Sequence, residues 1–106
     1  MYIAAGIMNI NEIKGLVEEG ESQTLEFKES FQEEALHSIG AFANASGGTL
    51  LIGVSDSGAI TGLTIGKNTI REIADKIASC TEPRVIPDIQ HVSIEKKDII
   101  VIQVSC

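Results

Sequence analysis

From Asn9 onward, Ile10, Ile13, Leu16 and Val17 recur at the spacing of one helix face, with Asn9 placed to cap the start and Gly20 to end it. This spacing predicts a short amphipathic helix. The period then changes. Between Thr24 and Lys28, Leu25 and Phe27 alternate with Thr24, Glu26 and Lys28, as in a half-buried strand. Ala35, Leu36, Ile39, Phe42 and Ala43 return to helical spacing, and Gly47-Gly48 follows as a left-handed cap. Thr49 to Val54 is almost wholly apolar and rich in β-branched residues, which suits a central strand covered on both faces. Ser55-Asp56-Ser57-Gly58 is a turn signal, and Ala59 to Leu63 is expected to come back as a short strand loosened or bulged at Gly62. A third helix is expected from Asn68 to Ser79, burying Ile70, Ile73 and Ile77. After a loop flanked by Pro83 and Pro87, two strands, Ile89 to Glu95 and Asp98 to Val104, should close the chain around a tight turn at Lys96-Lys97.

The predicted order is α-β-α-β-β-α-β-β, an α/β sandwich built on a mixed sheet. A length of 106 residues accommodates one core and no second domain. Met1 to Met8 reads as a flexible leader or an expression remnant, with Met8 as the natural start. The final residues are still strand-like at Cys106, which reads as a domain excised from a longer protein with a covalently linked C-terminal domain. No apolar run approaches the roughly 18 residues of a membrane span and no signal-peptide pattern opens the chain, so a cytoplasmic location without membrane contact is expected. Cys80 and Cys106 have neither disulfide-framework nor metal-ligand spacing and read as buried or idle thiols.

Several chemistries are disfavoured by what surrounds the candidate residues. Gly48 to Gly53 is followed by no Gly-Lys-Ser/Thr, so it is no Walker phosphate loop. His37, one turn after Glu33, and His91, on a strand, lack zinc-ligand spacing, and no Ser or Cys sits in a nucleophile elbow. Charge bears directly on phosphate binding. The net charge of -7 repels nucleic acid as a whole, so binding would need its cations clustered. Lys67, Arg71 and Lys76, on or just before the third helix, form the candidate cluster, with Lys28 as a further phosphate contact.

Three pieces in order, Gly20-Glu21-Ser22 with Leu25-Glu26-Phe27-Lys28, Ala41-Phe42-Ala43-Asn44 with Gly47-Gly48, and Ile52-Gly53-Val54 with Asp56, Gly58 and Gly62, resemble the Schlafen-type AlbA domain. The resemblance implies a DNA-binding module of bacterial transcriptional regulators, a family formerly catalogued as divergent ATPases. In animal Schlafens the same fold is linked to cleavage of structured RNA. From the nucleolytic members it carries a three-carboxylate cluster onto Glu21, Glu26 and Asp56. Such carboxylates would hold Mg²⁺ or Mn²⁺ to polarise a phosphate and activate water, with Lys28 as a supporting cation.

Each of these residues also has a plainer reading. Glu26 and Lys28 share a strand face and serve equally as an exposed ion pair. Asp56 belongs in a Ser-Asp-Ser-Gly turn whatever else it does. Asn44 and the two glycines end a helix. Three functions therefore stand side by side. The first is a non-catalytic DNA- or RNA-binding module without a cofactor. The second is a metal-dependent nuclease using the three carboxylates. The third is a protein-interaction or homo-oligomerisation domain using an exposed edge of the closing hairpin.

Overall fold

The computed structural model describes residues 8–105. These form three helices and one four-stranded sheet, in the order α1 (Ile10–Glu19), β1 (Leu25–Lys28), α2 (Glu33–Asn44), β2 (Gly48–Ile52), α3 (Thr69–Cys80), β3 (Asp88–Ile94) and β4 (Lys97–Val104). The expected leader lies outside the described residues, except for Met8. That residue is tied down, because its N–H donates to Gln90 Oε1 at 2.9 Å and its carbonyl accepts from Gln90 Nε2 at 2.7 Å. Cys106 also lies outside them.

The sheet runs β1-β2-β4-β3, with β1 parallel to β2 and the other pairs antiparallel. It is the mixed sheet that the sequence predicts. Alternation along the two inner strands divides the core. Leu50, Ile52, Ile100 and Ile102 pack with Ala35, Ile39 and Phe42 of α2 and Ile73 and Ile77 of α3. Leu51, Ile99 and Val101 pack with Ile13 of α1 and with Leu25 and Phe27 of β1. Helices therefore cover both faces, and this is why β2 and β4 are almost unbroken apolar runs.

The local signals act where the sequence places them. Asn9 and Glu12 form a reciprocal capping box at 2.8 and 2.9 Å, and Gly20 ends α1 at φ 85°. Gly47, at φ 87°, donates to the Phe42 carbonyl at 2.8 Å and stops α2. Gly48 is not part of that cap, since it opens β2.

Three further expectations are corrected. Ala59 to Leu63 is reduced to isolated bridges, Val54 to Ile60 and Leu63 to Asp98, because the Gly53 carbonyl takes both the Thr61 and Gly62 amides and bends the segment away. The closing turn is centred on Glu95-Lys96, at φ 52° and 68°, since Ile94 pairs with Lys97 and leaves two residues between the strands. Both central residues at positive φ match the twist of a two-residue hairpin. Ile70, in the first turn of α3, is 36% exposed, because the packing onto the sheet begins at Ile73. Of the two alternatives left for Cys80, buried or idle, the structure shows the second, an exposed free thiol.

Candidate functional site

The three carboxylates singled out by the resemblance have separate local roles. Glu21 reaches across the start of β1, where its Oε2 accepts the Phe27 N–H at 2.9 Å. Ser22 pairs with Leu25 beside it. These contacts take up the Leu25 and Phe27 amides on the side of β1 turned away from β2. Glu26 and Lys28 do share a face, the one toward α2, and Lys28 Nζ lies 3.6 Å from Glu26 and 3.4 Å from Glu34 of α2. Asp56 is exposed in the turn after β2. Among the described residues, no group of three His, Cys, Asp or Glu side chains is placed to hold a metal ion. Glu21, Glu26 and Asp56 are therefore not gathered into such a group.

The Glu21 contact gives a simple prediction. A hydrogen bond to an ionised group is worth about 1.5–3 kcal/mol when well made, and this one is only part-buried. Glu21→Ala should therefore lower stability by about 1–2 kcal/mol in urea unfolding, and Glu21→Gln by less. A neutral Glu21→Ala would show that the carboxylate does not hold the strand.

Lys28 is not an open phosphate contact. Partial burial pulls its ammonium pKa down, but the Glu34 hydrogen bond and the charges of Glu26 and Glu34 outweigh this and hold it above the ordinary lysine value. The cation is committed to two carboxylates. Lys67, Arg71 and Lys76 differ, because all three are exposed and none is in an ion pair among the described residues. They do not form a single patch, however. At 3.6 residues per turn, Arg71 and Lys76 stand about 140° apart around α3. Arg71 therefore faces outward, whereas Lys76 flanks the helix and lines the groove toward α2. Glu72 and Asp75 are interleaved with them.

Sequence reading passed over one polar cluster. On adjacent strands β3 and β4, the Asp98 carboxylate accepts from the Ser93 hydroxyl and lies 2.9 Å from His91 Nε2. The Ser93 hydrogen bond, and then that of His91, hold the Asp98 carboxyl below the ordinary carboxylate range. The missing signal is the hairpin register, which pairs Ser93 with Asp98 and His91 with Ile100. His37 is highly exposed and 3.9 Å from Glu33, as its one-turn spacing predicts.

A three-layer α/β domain with a β1-β2-β4-β3 sheet is thus the class the geometry defines. A family profile described as Schlafen, AlbA_2 matches residues 21–105, and the chain belongs to that family. Among solved structures it is similar to the N-terminal domain of a RecG-related protein from Nitrosomonas europaea, determined by solution NMR. The TM-score is 0.70 at 25% identity, over 88% of this chain and 72% of that one. It is also similar in fold to the DIP2311 protein from Corynebacterium diphtheriae, at TM-score 0.61 and 17% identity. That match covers 92% of this chain but only 25% of the larger one.

Proposed function

We propose that this domain is a nucleic-acid-binding module, acting on DNA as part of a bacterial transcriptional regulator, and that it binds without cleaving. The observation that carries this reading is the match of residues 21–105 to the Schlafen, AlbA_2 family, and Lys67, Arg71 and Lys76, exposed and outside any ion pair among the described residues although not gathered in one patch, are the candidate phosphate contacts. Membership of the Schlafen, AlbA_2 family and similarity to a domain of a protein described as related to a DNA helicase support it.

Binding of this kind is driven by phosphate neutralisation and is weak and salt-sensitive, with a log–log slope of about -0.9 per contact on duplex DNA. Fluorescence anisotropy at low ionic strength should show saturable binding that falls steeply as salt is added. The Lys67→Glu/Arg71→Glu double variant should bind at least about tenfold more weakly and with a slope shallower by about 2. Absence of binding to DNA and RNA even at low salt would sink the proposal. Incubation with structured RNA and Mn²⁺ should give no cleavage that Glu26→Gln abolishes.

A further inference from the structure

The upper surface of α2 is flanked by two grooves that run into each other. One, of about 510 Å³, lies between α2 and α3 and is lined by Phe31, Gln32, Glu33 and Lys76. The other, of about 600 Å³, lies between the second half of α2 and the segment after α3, and is lined by Ala41, Asn44, Glu82, Arg84 and Ile86. Leu36, His37 and Cys80 line both, so the two make one continuous furrow. Small residues keep its middle open, since Gly40, Ala41 and Ala43 face it.

Each end combines the same two features. At the first, the half-buried ring of Phe31 lies beside Lys76, and at the second, Ile86, 83% exposed, lies near Arg84. Neither cation is in an ion pair among the described residues. Of the two lining carboxylates, Glu33 faces His37 at 3.9 Å, and Glu82 is exposed. An aromatic face near a cation outside any ion pair suits an unpaired nucleotide, the base stacking on the first and the phosphate meeting the second, and here Phe31 supplies the ring while Ile86 offers only apolar contact. A duplex, with its bases stacked inside, has no use for such contacts.

We infer that this furrow is a track for a single nucleic-acid strand, with bases against Phe31 and Ile86 and phosphates at Lys76 and Arg84. The inference rests on the nucleic-acid-binding reading above and specifies the form of ligand and the face that takes it. It adds the cation Arg84 and the ring of Phe31 to the residues already considered.

The test uses fluorescein-labelled oligothymidylate and a matched duplex with the whole chain. Cys80 serves as an internal reporter in a Cys106→Ser background, because it is exposed and lies in the middle of the furrow. Oligothymidylate should bind more tightly than duplex and slow reaction of the Cys80 thiol with a disulfide reagent at least about fivefold at saturation. Arg84→Gln should reduce the salt slope by about 0.7, the value for one single-strand contact. Phe31→Leu keeps most of the packing volume but removes the ring, and should weaken oligothymidylate binding at least about fivefold while duplex binding is unchanged. If nucleic acid binds yet Cys80 stays fully reactive and Arg84→Gln behaves as wild type, the track is refuted while the binding function stands. If nothing binds, both fall together. Equal protection of Cys80 by polyglutamate would reassign the furrow to an acidic peptide and overturn the proposal.

Discussion

Gly48→Ala is expected to cost about 2–3 kcal/mol of stability, far more than its size suggests. A Cβ at Gly48 would sit 2.5–2.7 Å from three ring carbons of Phe42, a distance at which something must move. Phe42 cannot simply swing away, since it is only 6% exposed and belongs to the cluster beneath α2. Nor can Gly48 shift without disturbing the fully buried strand β2, where it pairs with Val104. In urea or thermal unfolding the loss should appear as a fall in Tm of roughly 10–20 °C. The double variant Gly48→Ala/Phe42→Leu should recover part of the loss relative to the sum of its two single changes, because the clash is between those two positions. Gly47→Ala has a different basis, in that the cost there is backbone strain at φ 87°, about 1–2 kcal/mol, and no change at Phe42 should relieve it. Stability within about 0.5 kcal/mol of wild type for Gly48→Ala would mean that helix and strand are not in such close contact.

Phe27→Ala should be more damaging still, at about 3–5 kcal/mol. The ring is 0% exposed and packs in the cluster with Ile13, Leu25, Leu51 and Val54, where β1 and β2 meet α1. Total stability of a small domain is about 5–15 kcal/mol, so the variant should be partly or wholly unfolded at moderate urea concentrations. Phe27→Leu should be substantially milder, since it leaves less empty volume. The comparison is informative about the site as well, because Phe27 carries the amide that Glu21 caps. If Phe27→Ala lost less than about 1.5 kcal/mol, the α1 face of the sheet would not be a packed core.

Both predictions involve residues of the sequence vocabulary that resembles the Schlafen-type AlbA domain, and both assign them structural work. The elements themselves were legible because their signals are local. Asn9, Gly20, Gly47 and the alternation in β1 act within a few residues of where they stand. The nearly all-apolar run of β2 announced its two-sided burial for the same reason. What local pattern cannot carry is register and approach between distant segments. Gly47-Gly48 looked like one cap, but the second glycine answers to a ring six residues earlier. Glu21, Glu26 and Asp56 share a vocabulary, yet one caps a strand amide, one joins the Lys28 network and one stays in a turn. The cations of α3 were visible as letters. Their division between an outer face and a groove depends on how α3 sits against α2, and Arg84 and Phe31 enter only once that groove exists.

The Glu21 carboxylate and the Ser22 bridge also set a rule for growth. With the Leu25 and Phe27 amides already occupied, the β1 border has no free donors on those residues to recruit another chain. Among the described residues, the opposite border, β3, has no neighbouring strand on its outer side. Stacking that propagates without limit needs two adhesive sides, and here one side is sealed by the molecule's own acid. Two copies meeting through their β3 borders would form an eight-stranded sheet whose two outer strands are both β1, each with its Leu25 and Phe27 amides already occupied.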